Sequence, residues 1–203
     1  MALPAAEPGR KLHHHRQIDV EIYSRDDGLW EVDARVSDVR TAPVPLARGV
    51  LAAGEPIHDL LLRLVIDERF EVRAAGSQMR AMPYPDACNA HGDPYEAIAG
   101  LNLMRGFRHA LRERLGGVRG CTHLTELAQV LPTAVVQAFA GRVVDTRGDA
   151  PDSKRPFQID RCQALRSEGP VVQTHYPRWY RAPGTGAASP ALPTSPTEPE
   201  STP

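Results

Sequence analysis

The chain is poor in the residue types that most often announce a function. Aromatics make up only 5% of its 203 residues, too few for the stacking platforms of single-strand nucleic-acid binders. There is no surplus of positive charge: 24 Lys and Arg stand against 25 Asp and Glu, a formal net charge of -1. A protein that grips phosphate backbones needs a basic excess, so nucleic acid is excluded as a partner. No apolar run approaches the roughly 18 residues of a membrane span. The first residues, Met-Ala-Leu-Pro-Ala-Ala-Glu-Pro-Gly, put prolines and an acid where a secretory signal needs apolar side chains. Only three cysteines occur, at 88, 121 and 162, an odd and sparse set unlike a secreted disulfide framework. The expectation is a cytoplasmic protein with neither membrane nor nucleic acid as partner. Internal repeats, a GxGxxG string and a P-loop are also missing.

What is present reads as one α+β domain over residues 16–181, between a disordered lead (1–15) and a disordered tail (182–203). The tail is almost all Ala, Pro, Ser, Thr, Gly and Glu, a composition that buries too little to offset its ordering entropy. The lead contains His13-His14-His15, read as a solvated polar run. Ile18, Val20 and Ile22 alternate with polar residues, Asp27-Gly28 marks a turn, and Trp30, Val32, Ala34 and Val36 continue the period of two. A second hairpin follows: Leu60, Leu62, Leu64 and Ile66 share a face, Asp67-Glu68 turns, and Phe70, Val72 and Ala74 return. Thr41 to Pro56, with three prolines and two glycines, reads as loop or a short helical turn. Asp93-Pro94-Tyr95-Glu96 is a helix start signal. A helix over 94–115 is expected, with Gly100 and Gly106 able to split it. A second runs over 123–140, kinked or divided at Pro132. Short late strands are expected at Phe157-Gln158-Ile159 and Val171-Val172. The fold class is therefore an antiparallel sheet of two hairpins packed against two or three helices.

Chemistry concentrates in Gly116-Gly117-Val118-Arg119-Gly120-Cys121-Thr122-His123-Leu124-Thr125-Glu126-Leu127. A glycine-rich turn delivers a thiol to the start of a helical period, where the positive end of the backbone dipole favours a thiolate. Two chemistries fit. Cys88, Cys121, Cys162 and His123 are the donor set of a Cys₃His centre, holding zinc or an iron–sulfur cluster. Alternatively Cys121 is the nucleophile of a cofactor-free enzyme and His123 its base, with Glu126 or Asp59 orienting the imidazole. His58-Asp59 opens a strand, where strict alternation sends one side chain to the core face and one away. A buried member would need a polar partner, and capping of the sheet edge is the plainer role. The arginines at 105, 108, 112, 114 and 119 give a basic helix face, solvated or aimed at a small anionic ligand. A third reading is a module that binds a small acid or a partner protein, its cysteines buried as small hydrophobes.

The strings Arg25-Asp26-Asp27-Gly28-Leu29-Trp30-Glu31-Val32, Ile57-His58-Asp59, Pro85 to Cys88, Gly120-Cys121-Thr122-His123-Leu124 and Tyr176-Pro177-Arg178-Trp179-Tyr180 resemble a bacterial family known as domain of unknown function 2889. The resemblance runs from Arg16 to Tyr180 and implies bacterial origin but no particular activity. Where that family tends to read Cys-His near its C-terminal end, this chain reads Cys162-Gln163. A fainter likeness, in the order of hairpin, cysteines and helices, is to iron–sulfur cluster scaffolds of the U type, which use three cysteines and a His or Asp. The spacing differs, because His123 sits beside the second cysteine.

Overall fold

The alternating segments become a four-stranded antiparallel meander. The computed structural model describes residues 3–47, 49–88 and 92–184, which cluster into two units, Met1–Val143 and Val144–Pro203. In the first unit, β1 (His14–Ser24), β2 (Trp30–Arg40), β5 (Pro56–Ile66) and β6 (Val72–Ala81) lie side by side in the order β1-β2-β5-β6. The register sets Val20 opposite Ala34 and Ala34 opposite Leu62, so the apolar positions of each strand fall on one face. Trp30, Val32, Ala34, Val36, Leu60, Leu62, Leu64, Ile66 and Val72 are all buried there. The first turn is closed by Arg25 accepting from the Gly28 amide, with Gly28 at φ 80. At the second, Asp67 Oδ1 accepts from the amides of Arg69 and Glu71, and Phe70 is left at φ 66. That conformation ends the turn late, so β6 begins at Val72 rather than at Phe70.

Two short segments differ from expectation. Thr41 to Pro56 contains a small hairpin, β3 (Val44–Leu46) on β4 (Gly49–Leu51), instead of loop or helix. The region 94–115 divides as its glycines allow, into a 3₁₀ turn at Pro94–Ile98 and the helix α2 (Phe107–Leu115), with Gly100 and Gly106 both at positive φ. A one-turn helix α1 (Pro85–Cys88) precedes them. Asp93 caps the 3₁₀ turn by accepting from the Tyr95 amide and also holds Ser77 of β6, which ties the helical layer to the sheet. Helix α3 (Thr122–Phe139) remains one helix through Pro132. Its buried stripe of Leu124, Leu127, Ala128, Leu131, Val135 and Phe139 lies on the sheet. At one end Phe139 packs on Trp30, with ring centroids 4.9 Å apart.

The second unit carries no strand among its described residues. Val171 and Val172, expected as strand, lie in helix α4 (Pro170–His175), because Gly169-Pro170 supplies an N-cap and a proline at the first helical position. Residues 157–159, the other expected strand, lie in a turn region that ends at Asp160, itself at φ 64. The Asp160 carboxylate accepts from the Ser167 amide and hydroxyl and from Arg155. From residue 185 onward the expected tail lies outside the described residues.

Candidate functional site

The apolar face of the sheet ends in charge. One row beyond Val36 and Leu60, β1, β2 and β5 contribute Arg16, Asp38 and His58, which the register sets in line across the three strands. Alternation puts all three on the face that meets the helices, so Asp38 is only 2% exposed. A carboxylate this buried requires partners, and it has several. Arg16 grips it with two bonds, Nε to Oδ1 at 2.8 Å and Nη2 to Oδ2 at 2.9 Å. His14 Nε2 lies 2.8 Å from Oδ1 and His58 Nδ1 lies 3.1 Å from Oδ2. An irregularity in the pairing between Asp38 and Val39 marks the end of the regular ladder. Arg16 also reaches Glu126 at 3.4 Å, which joins α3 to the row.

Helix α3 brings the remaining groups. Residue 123 precedes Leu127 and Leu131 by one and two turns of four residues, so His123 extends the buried stripe to the point where the sheet turns polar. Its ring lies against that of His58, centroids 4.0 Å apart and planes inclined by 35°. Cys121 is the N-cap of α3, and its Sγ lies 3.8 Å from His123 Nδ1. Residues two apart do not share a helix face; the pair meets because Cys121 stands just outside the helix, with extended φ and ψ of -89° and 128°. Tyr95 fixes that position. Its hydroxyl accepts from the Cys121 amide at 2.9 Å, donates to the Cys121 carbonyl at 2.7 Å, and meets Thr125 Oγ1 at 2.9 Å. Gly120 is needed for the approach, since a β-carbon there would lie 2.6 Å from the Leu115 carbonyl oxygen and 3.1 Å from the Tyr95 hydroxyl.

The electrostatics follow from burial and from the row. Burial opposes ionisation of Asp38, but hydrogen bonding and charge from Arg16, helped by His14 and His58, outweigh it and hold the carboxyl at about 2. Burial, and then the neighbouring His123, push the pKa of His58 down against the pull of Asp38. Burial pushes the Tyr95 hydroxyl up, so it stays a neutral clamp. Because the Asp38 carboxylate can only accept, His58 must present Nδ1–H to it, which leaves the lone pair of a neutral ring on Nε2.

Among the candidates read from the sequence, Cys121, His123 and His58 come together here, and Glu126 touches the edge through Arg16. Asp59 does not join them. It lies on the opposite face of the sheet, ion-paired to Arg35 at 2.6 Å, as alternation requires of the neighbour of an inward His58. Cys88 closes α1 and Cys162 is an exposed residue of the second unit. Among the described residues, the grouping of His, Cys, Asp and Glu whose ligand atoms all lie within 4.8 Å is Asp38, His58 and His123, with no cysteine in it. Three of the helix-face arginines are turned to backbone carbonyls: Arg114 to Ala97 and Ala99, Arg108 to Gln129, and Arg119 to Arg112. The sequence reading missed Asp38, Arg16 and Tyr95. A signal existed for the first, since Asp38 is the next member of the apolar alternation Trp30, Val32, Ala34, Val36, just as His58 precedes Leu60 and His123 precedes Leu127.

Fold and site together define an α+β protein with a thiol, two imidazoles and a carboxylate aligned at one end of an antiparallel sheet. The chain belongs to the family described as protein of unknown function (DUF2889), whose model matches residues 14–137. That span lies within the first unit and includes every residue of the row and of the Cys121–His123 pair. No curated protein and no solved structure matches the chain. The likeness to iron–sulfur scaffolds finds no support in these comparisons.

Proposed function

We propose that this protein performs thiol chemistry, with Cys121 as nucleophile and His123 as its base. The observation that carries the reading is the approach of Cys121 Sγ to His123 Nδ1, 3.8 Å, at the N-terminus of an 18-residue helix. In the first step the thiol proton passes to His123 Nδ1 while the sulfur forms a bond to a carbonyl carbon, whose C=O π pair moves onto the oxygen. Cys121 gives α3 no side-chain cap, and the amides that open a helix have no acceptor within it. Negative charge that develops on the electrophile's oxygen would meet those donors and the positive end of the helix. His58 acts through His123 as a positioning residue: it packs on the base, and Asp38 with Arg16 fixes its ring.

Alkylation of Cys121 by iodoacetamide at neutral pH tests the reading. His123→Asn should slow the reaction at Cys121 by about 100-fold, the lower end of what a positioned base contributes, without changing the rates at Cys88 or Cys162. An unchanged Cys121 rate in a folded His123→Asn protein would end the nucleophile reading.

A further inference from the structure

We propose that His58 and His123 form a binding site for a divalent transition-metal ion of the zinc class, with Asp38 as the carboxylate that orients His58, and that occupancy of this site switches off the Cys121–His123 pair. The second half rests on the thiol reading above; the first does not.

The geometry starts from two imidazoles 4.0 Å apart that come from different elements, β5 and α3, with a carboxylate behind one of them. Ligand atoms of Asp38, His58 and His123 all lie within 4.8 Å of one another. Asp38 is not a first-choice ligand, because both its oxygens already accept from cations or N–H groups, and an ion placed on them would face the Arg16 guanidinium. Its bond to His58 Nδ1 is instead the carboxylate–histidine contact that orients a metal-binding imidazole and raises its basicity. That contact directs the His58 lone pair, on Nε2, away from Asp38. Imidazole nitrogens select a borderline ion such as Zn²⁺ over Mg²⁺ and Ca²⁺, which take oxygen ligands.

The coupling to the thiol is a matter of one lone pair. A neutral imidazole has a single acceptor nitrogen. His123 can accept the Cys121 proton at Nδ1 only when its proton sits on Nε2. If Nε2 binds the ion, Nδ1 carries the proton and faces sulfur as a donor, and the base is gone. Metal and base function are therefore exclusive at His123.

Calorimetric titration of the full chain with Zn²⁺ tests the site. One equivalent should bind to the wild type and to Cys121→Ser, and binding should be lost in His58→Gln. Asp38→Asn removes no ligand and should weaken affinity about 10- to 100-fold. A variant with His13→Gln and His15→Gln should bind as the wild type does, which separates the site from the N-terminal histidine run. A Co²⁺ complex should lack a thiolate-to-metal charge-transfer band. Absence of binding, binding kept in His58→Gln but lost in Cys121→Ser, loss in the His13/His15 variant, or a thiolate band would each overturn the site. For the coupling, saturating Zn²⁺ should slow wild-type Cys121 alkylation towards the His123→Asn rate. An unchanged rate with zinc bound would overturn the switch while the binding result stands. If zinc-free alkylation shows no dependence on His123, the thiol reading fails and the metal site is judged by calorimetry alone.

Discussion

Asp38 is the residue on which the site turns. Its side chain is 3% exposed and satisfies Arg16, His14 and His58 together. Removing one member of a buried ion pair typically costs about 3–5 kcal/mol, because the partner's charge is left uncompensated; with Arg16 partly exposed, Asp38→Asn should fall near about 3 kcal/mol in urea unfolding at pH 7. The acid limb follows from the sign of the shift. A carboxyl held at about 2 stabilises the fold fully above its unfolded value near 4, and that contribution drains away as pH falls from about 4 to about 2. The wild type should lose about 2 kcal/mol over this window through Asp38, and Asp38→Asn should show a correspondingly flatter curve. His58 moves the other way in charge but with the same sense in pH. Its folded pKa is depressed by burial and by His123, so its contribution is complete above about 6.5 and is lost as pH falls through the lower folded value. In an NMR titration the His58 ring should titrate below a free histidine, and His123→Ala should move it back up. A His58 midpoint at or above the free value would contradict the packing of the two rings.

Among the elements, the strands were the most legible in the sequence. Period-two alternation placed Trp30, Val32, Ala34, Val36, Leu60, Leu62 and Leu64 on one face, and all are buried. Alternation alone gives the faces but not the neighbours, so that Asp38 lies between Arg16 and His58 could be known only from the register. The late segments were misread because a short apolar pair such as Val171-Val172 fits strand or helix equally, and the Gly169-Pro170 start signal decided it. Trp30 makes the sheet face testable. It packs at a tilt of 54° against Phe139, with Arg142 5.1 Å above its ring, and Trp30→Ala should cost about 3–5 kcal/mol. A cost below 1 kcal/mol, read by urea unfolding, would deny that this ring holds α3 to the sheet. At the other end of α3, Gly120→Ala should destabilise by about 1–3 kcal/mol through overpacking. It should also slow Cys121 alkylation, since the added β-carbon must displace either the Leu115 carbonyl or the Tyr95 clamp.

At the scale of the whole molecule, the first unit contains the family match, the row of Arg16, Asp38 and His58, and the Cys121–His123 pair. No helix among the described residues is long and apolar enough to cross a membrane. A chain ending at Gly184 should melt with the full protein, because residues 185–203 offer almost no apolar side chains with which to dock. The central claim, that Cys121 is set apart by its imidazole and its helix, has a direct internal comparison in the other two thiols. Mass spectrometry of the folded protein during limiting iodoacetamide treatment measures all three at once. The account predicts that Cys121, although half-buried, is modified before the exposed Cys162. Modification in order of exposure, with Cys162 first and Cys121 no faster than Cys88, would contradict it.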